Sequence, residues 1–264
     1  MTPYTLDAYR SILRTAIAAG YAFAPFTVQP ETPAKRIHLR HDVDYSIEIA
    51  VEMAEVNASL GVRATFFVLI RSQIYNLLSG RSLAAARRIL ELGQWIGLHV
   101  PTSPDALAND AGLSAYIRRD WTFLQGELTA LSRVFAWHNP TDDVLERFAA
   151  TLEVAGLVNA YSTPFFKATP YYSDTNMRHT VEAFASFVGP DGPQVFQLAF
   201  HPLNWVVGGT DMREIFAATW ARVIREREHD FATNHVYSGI FPEGMPLELL
   251  GGFSERWLTV SHER

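Results

Sequence analysis

Short apolar runs that end in a polar or ionisable residue recur along the chain. The run Arg36-Ile37-His38-Leu39 passes straight into Arg40-His41-Asp42-Val43-Asp44, and residues 64–70 exit at Arg71-Ser72. Residues 95–98 exit at His99, 134–137 at His138-Asn139-Pro140, 157–160 at Tyr161-Ser162, and 195–200 at His201-Pro202; Tyr171-Tyr172 leads to Ser173-Asp174. Runs of this length, rich in β-branched and aromatic residues, predict buried strands. Helical spacing fills the intervals. Thr5 caps a first helix carrying Leu6, Tyr9, Leu13 and Ile17 and ending near Gly20. A second carries Ile47, Ala50, Val51, Ala54 and Ala58 opposite Glu48, Glu52 and Glu55, and Gly61 closes it. Leu83, Ala86, Ile89 and Leu90 precede Gly93; Val144, Leu145, Phe148 and Leu152 follow Thr141; and Met212, Ile215, Phe216, Trp220, Val223 and Ile224 mark a late helix. This alternation predicts right-handed βαβ units and an α/β fold with a parallel sheet, most simply an incomplete (β/α) barrel covered by the first helix. The polar exits would then share one face, where such folds assemble their sites.

Composition narrows the class. The chain has 264 residues without a Ser/Gly-rich linker or charge block, which predicts one domain over 1–264. A hydrophobic fraction of 48% against 19% charged residues is enough for a sizeable core. A net charge of −6 argues against nucleic acid as partner, because phosphate backbones select basic surfaces. With no cysteine, a disulfide, a thiol nucleophile and a thiolate metal site are all excluded, so a bound metal would use His and carboxylate ligands. The start lacks the basic and apolar regions of a secretory signal, and no apolar run is long enough to form a transmembrane segment, so a cytoplasmic location is expected. Gly189-Pro190-Asp191-Gly192-Pro193 reads as a turn, and residues 231–252 show no clean periodicity.

The densest chemistry lies at Arg40-His41-Asp42-Val43-Asp44. Extended backbone has period two, so Asp42 and Asp44 share a face with Arg40, while His41 and Val43 take the other. Carboxylates held close together repel and attract a proton or a cation, which suits a general base beside a metal ligand; Arg40 offers a counter-charge. The same acids could also be a solvated loop or the N-cap of the helix opening near Ser46.

The order of Leu39-Arg40-His41-Asp42-Val43-Asp44, Gly61-Val62-Arg63-Ala64-Thr65-Phe66-Phe67-Val68, Leu92-Gly93-Gln94-Trp95-Ile96-Gly97-Leu98-His99, His138-Asn139-Pro140 and His201-Pro202 resembles the polysaccharide deacetylases of the NodB homology domain. These are carbohydrate esterase family 4-like proteins, and the resemblance spans about residues 36–205. It is nearest a variant His-Asp-Val-Asp branch linked to surface-sugar or O-antigen modification. It implies an irregular barrel of about seven parallel strands and a hydrolase acting on the amide bond of an N-acylated sugar. The acyl group would be acetyl, or formyl, and the substrate a nucleotide- or lipid-linked precursor in surface-polysaccharide biosynthesis. Carried over, Asp42 is the general base, Asp44 and His99 are ligands to a divalent metal, zinc by resemblance, and His201 is the general acid.

The chain departs from that pattern in one place. The family's second metal histidine, four residues after the first, falls here on Ser103. His138 is left either to complete the ligand set or to stand where the family has an arginine that orients the base. Open catalytic zinc sites usually hold three protein ligands, so the missing histidine makes a catalytically silent or metal-independent relative, binding a sugar or a partner protein, the alternative. Tyr75, Asn76, Asp174 and Trp205, with Arg40, are candidate sugar contacts, since aromatic faces pack on pyranose rings and Asn or Asp bind hydroxyls. His38, His179, His229, His235 and His262 read as structural or exposed.

Overall fold

In the computed structural model the described residues are 2–26, 35–102 and 109–245. They divide into two compact units, Met1–Phe216 and Ala217–Arg264. The first unit holds the sheet. Its elements are α1 (Leu6–Ala18), β1 (Ala22–Phe23), β2 (Arg36–Val43), α2 (Ile47–Ser59), β3 (Thr65–Val68), α3 (Gly80–Glu91), β4 (Trp95–Pro101), α4 (Asp110–Glu127), β5 (Val134–His138) and α5 (Asp142–Arg147). Then come β6 (Glu153–Val154), β7 (Leu157–Asn159), β8 (Tyr171–Ser173), a 3-10 turn (Thr175–Met177), α6 (Val181–Phe187), β9 (Val195–Phe200), α7 (Pro202–Val206) and the start of α8 (Met212–Phe231). In the second unit, α8 continues and is followed by α9 (His235–Ile240), where Tyr237 donates to Glu228 and its ring meets Phe231 and Phe241.

The sheet runs β6-β7-β5-β4-β3-β2-β9-β8, with β1 beside β2. Every pairing is parallel except β6 with β7. Among the described residues nine strands therefore stand where the resemblance implied about seven. Two of them, β1 and β6, are only two residues long and leave no periodic signal. The sheet curls: Gln197 of β9 donates to the carbonyls of Ala160 and Phe165, beyond β7, and Arg40 of β2 donates to the Tyr161 hydroxyl. Side chains thus bridge the gap between the β7 and β9 sides.

Period two sorts each strand. On β2, Ile37, Leu39 and Val43 are buried in the hydrophobic core, while His38, Arg40 and Asp42 form the polar row of the alternate face. Register carries that row across the sheet, because Arg40 pairs with Thr65 and Ala199, Asp42 with Phe67, and His99 with Ala136. Gly97 of β4 keeps the row closed: a Cβ there would stand 2.8 Å from Val134 Cγ1 and 2.9 Å from both Phe67 Cε1 and the Val134 carbonyl. On the opposite face, His41 Nε2 lies 3.1 Å from the Tyr9 hydroxyl of α1 and 3.2 Å from Asn57 Nδ2 of α2, which fastens both helices to the sheet.

The helices start and stop on local signals. Thr5, Ser46, Ser79 and Asn109 each accept a backbone N–H of the first turn of α1, α2, α3 and α4. Gly61 and Gly93 take positive φ just after α2 and α3. The face of α1 is rotated from the expected one: Tyr9, Ile12, Leu13 and Ala16 are buried and Ile17 is exposed. Helix α5 stops at Arg147, short of Leu152, and the helices α4 and α6 were not anticipated. Phe216 and Trp220 of α8 are exposed. Among the described residues, no helix is long and apolar enough to cross a membrane.

Candidate active site

The C-terminal ends of β2, β4, β5 and β9 deliver Asp44, His99, His138 and His201 to one place. His99 Nε2 is 3.3 Å and His138 Nδ1 3.2 Å from Asp44 Oδ1, and His201 Nε2 is 3.8 Å from Asp44 Oδ2. Asp42 Oδ2 lies 3.9 Å from His99 Nε2. Side chains read from four separate segments therefore converge. His99 ends inside β4 rather than beyond it, because the register with β5 continues to Pro101 opposite His138.

Asp44, His99 and His138 could hold a metal ion, with one ligand atom from each within 4.8 Å of the others. Two observations fit a cation. Asp44 Oδ1 is buried and makes no hydrogen bond, although two imidazole nitrogens stand within ion-pair distance. His99 Nδ1 lies 3.0 Å from the Ala136 carbonyl, so Nδ1–H donates there and the Nε2 lone pair faces Asp44. His138 Nε2 meets the Asn139 amide at 3.2 Å, at a residue whose φ of 47° is left-handed and tolerated by asparagine. With the amide oxygen turned to accept Nε2–H, His138 Nδ1 also presents a lone pair. The donor set of one carboxylate and two imidazoles suits a divalent transition metal such as zinc. Ser103, the position of the family's second histidine, lies outside the described residues.

Charges around this centre are strongly coupled. Burial works against ionisation of Asp44, yet the close imidazoles of His138, His99 and His201 carry its pKa far below the usual carboxylate range. Asp42, 4% exposed, is likewise opposed by burial but held ionised by Arg40. Burial lowers the pKa of His138, and Asp44 more than reverses this. His201 is raised to about 10: burial pulls it down, and Asp174, Asp44 and Asp42 overcome that.

Four of the five expected sugar contacts prove to be buried supports. Arg40 is fully buried and cannot touch a substrate; it grips Asp42 through Nε to Oδ1 at 2.9 Å and Nη2 to Oδ2 at 2.5 Å, while Nη1 donates to Gln197 and Nη2 also donates to the Tyr161 hydroxyl. Its guanidinium lies 4.5 Å from the Tyr161 ring centroid and 5.3 Å from that of Phe67. Asp174 is also fully buried; its Oδ1 lies 2.5 Å from His201 Nδ1, and Oδ2 accepts the His201 backbone N–H and the Trp205 indole. Trp205 is no pocket wall, since it is fully buried and stacked on Tyr4 at 4.2 Å. Tyr75 is buried, donating to the Val43 carbonyl and accepting from Leu69 N–H, so it ties the ends of β2 and β3 together. Asn76 is an exposed turn residue whose Oδ1 accepts from Leu78 N–H. A polar side chain within a strand or just beyond it is equally suited to a ligand or to a neighbour, and here neighbours took all but exposed Asn76.

A cleft of about 370 Å³ opens above the centre, lined by Asp44, His138 and His201 and walled by Tyr45, Arg71 and Phe216. Gln197 and Tyr161 went unread as parts of the site. Gln197 had a signal: a polar residue inside an apolar strand, two strides before His201 on the same face.

No family model matches the chain, and no curated protein matches it. Among solved structures it is similar to a family 4 carbohydrate esterase from Streptomyces lividans in complex with acetate, 16% identical over 72% of this chain and 88% of that one, TM-score 0.41. It is similar to the chitin deacetylase of Colletotrichum lindemuthianum, 14% identical over 76% and 86%, TM-score 0.44. A CE4 family pseudoenzyme from Bacillus anthracis is 13% identical over 75% and 63%, TM-score 0.43.

Proposed function

We propose that the chain is a metal-dependent hydrolase that removes the acyl group, acetyl or formyl, from an N-acylated sugar. The observation that carries this reading is the placement of Asp44, His99 and His138 around one point, with the Arg40-held Asp42 on one side and the Asp174-held His201 on the other. A bound zinc would polarise the amide carbonyl and make its water more acidic. The protein's own groups would do the rest. Asp42, ionised against Arg40, accepts the proton of a water whose oxygen adds to the carbonyl carbon. His201, its Nδ1 engaged by Asp174, has Nε2 available to give a proton to the sugar nitrogen as the carbon–nitrogen bond breaks. The products are a carboxylate and a free amine.

The test combines zinc titration by calorimetry with detection of acetate or formate released from a panel of N-acylated hexosamines. Binding near one zinc per chain, turnover by the loaded protein, and loss of both in Asp44→Ala are expected. Zinc bound at that stoichiometry without acid release from any substrate would replace the hydrolase with a silent sugar-binding relative.

A further inference from the structure

The cleft does not end at its own wall. Arg71, Gln73 and Pro101 line both the cleft above Asp44 and a second hollow, completed by Tyr116 and Arg119 of α4. Among the described residues Arg71 is the single Lys or Arg side chain lining the cleft, in a protein of net charge −6.

Its guanidinium is built in rather than loose. Nε donates to both oxygens of Asp120, at 3.1 and 3.2 Å, and Nη2 donates to Oδ1 at 2.9 Å. These bonds leave Nη1 outside the pair. Asp120 is 2% exposed, whereas the Arg71 side chain is 43% exposed, so the carboxylate anchors the guanidinium from below and its outer edge meets solvent. Arg119 Nε stands 3.6 Å from the same Asp120 oxygen, with its side chain 53% exposed. Tyr116 lies beneath both cations, its ring centroid 5.5 Å from Arg71 Cζ and 5.2 Å from Arg119 Cζ. Two guanidinia thus share one carboxylate. The group carries a net positive charge, and each fork is held by an aromatic face.

Planar guanidinium forks recognise phosphate and carboxylate oxygens in two-point fashion, and pre-ordering reduces the side-chain entropy lost on binding. We infer that Arg71 and Arg119 form an anion subsite next to the metal cleft, so that the substrate carries a phosphate or carboxylate group away from its acyl-nitrogen end. Only the identity of the anion's carrier as substrate rests on the hydrolase reading; the subsite itself is examined by binding.

Pyrophosphate and glucuronate serve as probes, each titrated by calorimetry into the metal-free protein at low salt. Wild type, Arg119→Gln, and the paired Arg71→Gln/Asp120→Asn are compared, the pair avoiding a buried carboxylate without its partner. At least one probe is expected to bind wild type and to weaken at least tenfold in both variants and on raising salt to 0.5 M. The identity of the stronger probe assigns phosphate or carboxylate. Asp44→Ala is expected to bind as wild type does. No binding of either probe at millimolar concentration, or equal binding by wild type and both variants, overturns the subsite, and so does loss of binding in Asp44→Ala. Should acyl hydrolysis fail while this pattern holds, the hydrolase reading falls and the anion site stands.

Discussion

Asp174 grips His201 twice, at the ring through Nδ1 and at the backbone through N–H, so the carboxylate sets both where the imidazole sits and which nitrogen faces Asp44. The indole of Trp205 completes the carboxylate's bonds. Asp174→Asn keeps the shape but can present an amide donor to Nδ1. We expect kcat to fall by about two to four orders of magnitude with KM little changed, as expected of a group that orients an acid without touching substrate. An equal rate in the variant would remove Asp174 from the mechanism.

On the proposed reading His138, from the neighbouring strand β5, serves in place of the ligand that the resemblance expects at Ser103. Its truncation in His138→Ala should weaken zinc binding by at least a hundredfold while leaving the unfolding midpoint of the metal-free protein close to wild type, since the side chain is partly exposed. Competition with a chromophoric chelator measures the first quantity and urea unfolding the second. Unchanged zinc affinity would show that the third ligand comes from elsewhere.

Arg40 and Asp42 form a buried pair, and removing one partner strands the other. Arg40→Met should destabilise the protein by about 3–5 kcal/mol, and Arg40→Met/Asp42→Leu should recover part of that loss. Urea unfolding of the three proteins gives the comparison. A double variant no more stable than Arg40→Met would mean that Gln197 and Tyr161, not Asp42, dominate the cost.

Gly97 sits where a methyl group collides with β5 backbone and with Phe67. Gly97→Ala is expected to cost about 1–3 kcal/mol from overpacking and to loosen zinc binding, because His99 follows two residues later on the same face. A variant as stable as wild type, with equal zinc affinity, would show that β4 and β5 separate without consequence.

His41 is held well below its ordinary pKa, at about 3; burial is the main cause, His201 adds to it, and the nearby Asp42 opposes it. A histidine whose folded pKa lies below its unfolded value of about 6.5 binds its proton more readily when unfolded. Its contribution is therefore fully present above pH 6.5 and declines as pH falls from there toward 3. Between pH 6.5 and 4.5 the loss should be on the order of 2 kcal/mol. Urea unfolding at those two pH values should show a shallower decline in His41→Gln. Parallel slopes would place the acid sensitivity in other groups, with buried His38, lowered to about 4, the next to examine.

The period-two pattern of Arg40-His41-Asp42-Val43-Asp44 was enough to put the two carboxylates on one face and His41 on the other, because alternation is a local property of extended backbone. The repeated exit of apolar runs into His99, His138 and His201 likewise pointed to one rim of a parallel sheet, since strand direction is inherited from the crossover helices. Tertiary structure alone decided which polar groups face a ligand and which face each other. Arg40, Tyr75, Asp174 and Trp205 have the side chains of a sugar pocket, yet each is buried against a partner that lies between 31 and 121 positions away in sequence. Those pairings depend on the curl of the sheet and the register of β2 with β9, which arise from packing summed over the whole core and leave no mark in any single segment.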